Sequence, residues 1–264
     1  MTWNDLKKKV HVSIPFRMLA GSYLSRFMDA RINPEISFDA TTMESHSRSE
    51  FVHVSEQLQS HDLAVTLHFP FMDLSPGSPD PGVRDLTRRR FQELLPLLSV
   101  FKPKAVVCHA GFESRRYGFI RQIWTRNSIA TWSPLAESIR NEGGVLMLEN
   151  VFEDSPDDIR EVFEEIGDLG VKFCLDTGHG MAFSSTPLTE WIGGLAPFLG
   201  QVHLHDNRGV QDDHLALGQG IIDFERFLRR LREVLQIPPL VTLEPHREED
   251  LLPSLRCLQE MWPW

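Results

Sequence analysis

Short apolar runs and longer amphipathic segments alternate along the chain. The runs are Val10–Ile14, Glu35–Asp39, Leu63–His68, Lys104–His109, Gly144–Glu149, Val171–Asp176, Gln201–His205 and Leu240–Glu244. Several are apolar nearly throughout, the pattern of parallel strands covered on both faces rather than half-exposed strands. Between them, helical periodicity predicts helices over Asp85–Val100, Ser133–Asn141, Pro156–Leu169 and Asp223–Leu235, the last opening on Asp223 as an N-cap. Eight strands alternating with helices fit either a closed parallel barrel or a doubly wound sheet. The polar residues decide between them. Five runs end in or just before His68, His109, Glu149, Asp176 or Glu244, and a sixth carries His203. A barrel gathers the ends of many strands at its C-terminal mouth, whereas an open sheet binds at one switch point. The expectation is an α/β protein, a (β/α)8 TIM barrel spanning residues 1–264 as a single domain, with its site at that mouth.

Composition narrows the class. The length of 264 residues suits one such barrel, and 41% hydrophobic residues suffice for a large core. A formal charge of -10 argues against a broad polyanion-binding face. The three cysteines, Cys108, Cys174 and Cys257, form no CxxC pair, and two sit in apolar runs. That usage implies a reducing compartment. No apolar stretch approaches the roughly 20 residues of a membrane span, and no signal-peptide core follows the first lysines. A cytoplasmic protein is expected.

The candidate chemistry lies in the strand ends. Glu149, in LMLEN, ends a strand too apolar to hold a bare carboxylate, so it needs a cation or a basic partner, and no Lys or Arg lies nearby in sequence. Asp176 and His179 are three apart on a strand-to-loop turn. His203 and His205, two apart, share one face of their strand. Asp212 and His214 form an Asp-x-His pair expected to reach inward with the same alternation, and Glu244 closes the last strand as Glu149 closes the fifth. Carboxylates and imidazoles in this mixture suit Zn²⁺ or Mn²⁺. His46, His53, His61 and His246 are read as surface or packing residues, and His11 as a residue inside the barrel.

LHFPF at 67–71, VVCHAG at 106–111, LMLENV at 146–151, FCLDTGHG at 173–180, VHLHDN at 202–207, DDHLALGQG at 212–220 and TLEPH at 242–246 carry a family resemblance. The chain resembles the xylose-isomerase-like barrels, in particular the branch containing the endonuclease IV type of apurinic-site endonuclease (AP endonuclease family 2). The resemblance implies a site of two or three zinc ions: His68, His109 and Glu149 on one, Glu149 bridging to a second with Asp176, His203 and Glu244, and His179, Asp212 and His214 on the third. The sugar isomerases and epimerases are similar only in Glu149, Asp176, His203 and Glu244, with His179 nearby. Departures from the DNA enzymes follow Glu149, where Val151-Phe152-Glu153-Asp154 replaces a Gly-rich segment. The loop between His203 and Asp212 is shorter, and Phe71 stands where those enzymes carry a Tyr.

These features imply a metal-dependent phosphodiester hydrolase acting on a small or non-duplex substrate, with Glu149 and Glu244 as catalytic carboxylates and weak binding to duplex DNA. The phosphodiesterases that cut the nucleotide loop of cobamides are similar in this respect. The rival reading is a sugar or sugar-phosphate isomerase or epimerase with one Mn²⁺, in which Glu149 and Glu244 form the acid/base pair. A metal-bound module without turnover is a third. The loop Met72–Val83, with its prolines and glycines, is expected to shape the pocket, and Arg17 and Arg208 to clamp the substrate.

Overall fold

The computed structural model describes residues 1–264. Eight strands, β1 (Val10–Pro15), β2 (Asn33–Ser37), β3 (Thr66–His68), β4 (Ala105–His109), β5 (Val145–Glu149), β6 (Lys172–Asp176), β7 (Leu199–Leu204) and β8 (Leu240–Leu243), pair in parallel in sequence order and close as β8 meets β1. The closed parallel barrel expected from the alternation is the observed fold. Differences lie at element ends. β2 lies at Asn33–Ser37 because Asp39 turns away to cap the helix Ala40–Ser45 by accepting from Thr42 N. The predicted helix Ser133–Asn141 is the second half of a longer one, Arg121–Asn141, and Pro156–Leu169 breaks into 3-10, α and 3-10 pieces. Asp223 caps its helix as expected, accepting from Arg226 N at 2.9 Å.

Strand residues alternate between two environments, as their period of two requires. One set packs outward with the helices into a continuous buried cluster that includes Leu67, Val106, Leu148, Phe173, Val202 and Val241. The other set points into the barrel. Low in the interior, Ala105, Val107, Met147 and Cys174 form a small apolar cluster. At the same parity and one step toward the mouth stand His109, Glu149 and Asp176. Alternation therefore sends one residue type to the core and the next to the site from the same strand.

The middle of the barrel is polar. Glu35 on β2 is fully buried, and its Oε2 accepts from Thr66 Oγ1 at 2.8 Å, Gln201 Nε2 at 2.7 Å and Thr242 Oγ1 at 3.2 Å. Its Oε1 lies 2.9 Å from His203 Nε2. Burial drives the carboxyl pKa up, but His203 outweighs it and brings it down to about 2. Glu35→Ala leaves the imidazole and three donors without this acceptor. Urea unfolding of the metal-free protein should show a loss of about 3–5 kcal/mol, and unchanged stability would contradict this account of the interior.

Candidate metal centre

Every candidate ligand named from the sequence arrives at the barrel mouth. The turn after β6 shows how the local sequence arranges this. Asp176 N-caps the helix Thr177–Phe183 by accepting from His179 N at 2.6 Å, which turns His179 back over the mouth. The loop after β7 is organised by Asp206, fully buried, whose carboxylate accepts from the backbone N–H groups of Asn207, Gly218, Gly220 and Ile222. Gly220 is required there, since a Cβ would stand 2.2 Å from Asn207 O. Within this loop His214 adopts φ +49°, so Asp212 and His214 converge through a left-handed turn rather than through strand alternation. That corrects the route by which they were expected to reach inward.

Glu149, 1% exposed, is the hub. Its Oε2 lies 3.1 Å from His68 Nε2 and 3.6 Å from His109 Nε2, and its Oε1 lies 3.3 Å from both His179 Nδ1 and His203 Nδ1. His203 Nδ1 also lies 3.1 Å from Glu244 Oε1 and 3.8 Å from Asp176 Oδ2. On the far side, Asp212 Oδ2 lies 3.0 Å from His214 Nε2 and 3.4 Å from His179 Nε2. The basic partner that Glu149 requires is imidazole from four sides.

Four of the rings are oriented from behind. His68, His179 and His214 donate Nδ1–H to the carbonyls of Phe69, Asn150 and Glu244 at 3.0, 3.0 and 2.9 Å, which turns Nε2 toward a carboxylate. His203 is reversed, with Nε2 at Glu35 and Nδ1 facing the site. A metal-binding histidine has this form, one nitrogen held by a carbonyl or carboxylate and the other bare. The electrostatics follow. Burial disfavours the imidazolium of His214, but Asp212 and Glu244 outweigh it and carry it to about 9. Burial likewise opposes, and the neighbouring carboxylates overcome, the protonation of His203 and His179, both pushed well above the usual histidine value. Burial prevails at His109, pushed down to about 3. The carboxylate of Glu149 is held well below its usual value despite burial, by His203 and His109.

Donor atoms close enough to share a cation fall into overlapping groups. They include His68, His109 and Glu149; Glu149, Asp176 and His203; Glu35, His203 and Glu244; and His205, Asp212 and His214. Glu35 was not singled out from the sequence, and His205, a candidate imidazole beside His203, lay outside the ligand set that the resemblance implied. Glu35 sits below the mouth in a strand otherwise read only as structural, so its parity with Ser37 was the available signal. Sharing a face with His203 was the signal for His205.

A cavity of about 950 Å³ opens above these groups, lined in part by Met72, Leu74, Ser78 and Val83 of the loop expected to shape it. Its rim carries Phe71, Phe119, Phe152 and Phe183, all exposed. Phe71 stacks on His109 with centroids 4.2 Å apart. Arg17 and Arg208 do not line the cavity. They pair outside it with Asp39 at 3.3 Å and Asp213 at 3.6 Å, and Arg116 is the basic side chain at the mouth. His246, read as a surface or packing residue, stacks on His214 at 3.6 Å.

Fold and site together define a (β/α)8 barrel with carboxylate and imidazole donors converging from its strand ends. The chain matches the xylose isomerase-like TIM barrel family over residues 35–261 and belongs to it. That superfamily consists of enzymes, among them endonucleases, isomerases and epimerases. The chain is 26% identical over 230 residues to a probable endonuclease 4 of Mycobacterium leprae, covering 83% of this chain and 85% of that one. It is 25% identical over 222 residues to an uncharacterised protein of Methanocaldococcus jannaschii, 79% of this chain and 73% of that one. Among solved structures, a Thermus thermophilus protein soaked with ZnCl₂ superposes with TM-score 0.81 at 27% identity, covering 96% of this chain and 97% of that one. A D-tagatose 3-epimerase-like protein, at TM-score 0.77, 23% identity and 96% of each chain, shares the fold. No helix is long and apolar enough to cross a membrane.

Glu153, in the segment that replaces the Gly-rich stretch, clamps the loops after β4 and β5. Its carboxylate accepts from Phe112 N at 2.8 Å and Val151 N at 2.6 Å. Burial, opposed by those donors, carries its pKa up to about 7. A carboxyl raised by folding holds its proton more tightly folded, so its contribution is complete below 4.5 and is lost as pH rises through about 7. Unfolding at pH 5 and pH 8 should show the wild type losing about 1–3 kcal/mol relative to Glu153→Gln; parallel behaviour would refute it.

Proposed function

We propose that the chain is a metal-dependent phosphodiester hydrolase for a substrate with a flat apolar body, small or non-duplex. The observation that carries the proposal is the set of donors beyond those a one-metal isomerase uses. His68 and His109 stand on one side of Glu149, and Asp212 with His214 on the other. In this reading His68, His109 and Glu149 hold one Zn²⁺ or Mn²⁺. Glu149, Asp176, His203 and Glu244 hold a second, and His179, Asp212 and His214 a third. The buried carboxylates, the bare ring nitrogens and the carbonyl-anchored histidines all fit divalent cations. The ions would supply Lewis acidity, polarising a phosphoryl oxygen and making water a competent nucleophile near neutral pH.

The chain's own groups then divide the work. Glu149 and Glu244 hold and orient the reacting water at the mouth. Arg116 meets the phosphate from the rim, and the phenylalanines exclude solvent while they hold the apolar body. Water gives up a proton as it adds to phosphorus, the P–O bond to the leaving group breaks, and the departing alkoxide takes up a proton in its place. The probable endonuclease 4 relatives support a phosphodiester, whereas the rim argues against a duplex. It presents Asp73 and Glu113 against Arg116 alone, and duplex affinity rests largely on phosphate contacts. The nucleotide loop of a cobamide, a phosphodiester attached to a large flat ring, has the required form.

The second reading, a sugar or sugar-phosphate isomerase or epimerase, draws on Glu149 and Glu244 facing one another across His203. It leaves His68, His109, Asp212 and His214 without a role.

His109→Ala separates the two. With bis(p-nitrophenyl) phosphate the hydrolase reading predicts turnover in the wild type and a fall of at least about 100-fold in the variant, with circular dichroism unchanged. Ketose epimerisation that survives His109→Ala, in a wild type inactive on the phosphodiester, would overturn the proposal.

A further inference from the structure

We infer that the mouth takes its phosphodiester in one direction, the flat apolar arm over β3–β6 and a hydroxylated, sugar-like arm over β7, β8, β1 and β2, where His246 is its polar contact. The inference rests on the proposed phosphodiester reading and adds the chemistry of the second arm and a residue that binds it.

Strand order separates the two halves. The barrel closes in sequence order, so the segments after β3, β4, β5 and β6 are neighbours around the mouth, as are those after β7, β8, β1 and β2. Every phenylalanine of the rim belongs to the first half: Phe71 follows β3, Phe119 β4, Phe152 β5 and Phe183 β6. Phe152 and Phe183 pack together as one apolar wall, centroids 5.0 Å apart. The second half lines the cavity with Ser13 of β1, Ser37 of β2 and His246 after β8, beside Asp212, His214 and Glu244. In the proposed reading the last three hold cations. Two hydroxyls and one imidazole are left to meet the substrate on that side.

His246 is not a donor to the cation beside it. Its ring lies nearly parallel to that of His214, centroids 3.6 Å apart and planes at 13°. Lone pairs in the planes of parallel rings run side by side and do not meet at one ion. The stack instead lifts His246 clear of the floor. His205, His214 and His246 form three successive layers, the first 1% exposed, the second 8% and the third open to the cavity.

The chemistry of this side suits hydroxyl groups. A neutral imidazole offers one donor and one acceptor, and a serine hydroxyl offers both. Together they satisfy a polyol without adding charge next to the cations. A second apolar arm would strip water from these groups and return no hydrogen bond.

The test uses wild type, His246→Ala, His246→Phe and Phe152→Ala, each loaded with zinc and its zinc counted. Two probes carry one arm each: methyl riboside 5-phosphate, whose blocked anomeric carbon excludes isomerisation, and phenyl phosphate. Calorimetry gives their dissociation constants. His246→Ala should bind the riboside phosphate at least about 5-fold more weakly, and phenyl phosphate as the wild type does. His246→Phe keeps a ring on His214 but offers no hydrogen bond, and should match His246→Ala. Phe152→Ala should reverse the preference, weakening phenyl phosphate alone. The same split should appear in KM, with kcat little changed, when thymidine 5′-(p-nitrophenyl) phosphate is compared with bis(p-nitrophenyl) phosphate. If only His246→Ala loses zinc, His246→Phe is the variant read. Recovery in His246→Phe, loss of zinc in both His246 variants, or equal weakening of the two probes would overturn the inference, as would a wild type that does not bind the riboside phosphate. A wild type inactive on both diesters overturns the proposed reaction, and probe binding then decides this inference by itself.

Discussion

Buried negative charge is the constraint on which this barrel depends. Glu35, Glu149 and Asp176 are 0–1% exposed and point into the interior of one closed barrel. In surroundings of low dielectric, carboxylates this close repel strongly, and each would take up a proton unless matched by positive charge. No Lys or Arg reaches them. Imidazoles do, from β3, β4, β7, the helix after β6 and the loop after β7. An imidazole can meet the demand with a proton or with a lone pair to a divalent cation. The raised His203, His179 and His214 and the lowered Glu149 describe the proton answer. The backs of the rings, tied to carbonyls and carboxylates, are arranged for the cation.

The same constraint explains what could be read from the sequence. Parallel strands buried on both faces read as apolar runs, so a charged or imidazole residue at a run's end stood out against them. Glu149 after LML and Asp176 after FCL are the clearest cases. The barrel followed from the number of strands carrying such an end. Less legible were residues whose role depends on tertiary closure. Glu35 begins a run that resembles any edge of a strand, and its partners come from the neighbouring β3 (Thr66) and, far along the chain, from β7 and β8 (Gln201, Thr242). Arg116 lies in the one-turn helix Ser114–Tyr117, too short for periodicity to reveal its direction, whereas Arg17 and Arg208 find acidic neighbours beside them. The left-handed His214 could not be read from an Asp-x-His spacing that an extended loop would satisfy equally well.

The mouth has two characters. Its floor is ionic, set by strands and by two buried carboxylates that gather backbone N–H groups, Asp206 within the loop after β7 and Glu153 across the loops after β4 and β5. Its rim is apolar and exposed, with Phe71, Phe119, Phe152 and Phe183 around a cavity of about 950 Å³. Exposed aromatic side chains next to a polar floor are the usual arrangement for a small ligand that is apolar at one end and charged at the other. Family membership shows the scaffold, and the rim supports the proposal of a compact ligand over a nucleic-acid duplex.

The central claim is that the strand-end donors form several cation positions rather than one. Anomalous diffraction from zinc-loaded crystals, collected on both sides of the zinc edge, measures this directly. The account predicts separate peaks: one by His68, His109 and Glu149, one among Glu149, Asp176, His203 and Glu244, and one beside Asp212 and His214. A single peak among Glu149, Asp176, His203 and Glu244, with His68, His109 and His214 left to hydrogen bonds in fully loaded protein, would contradict it.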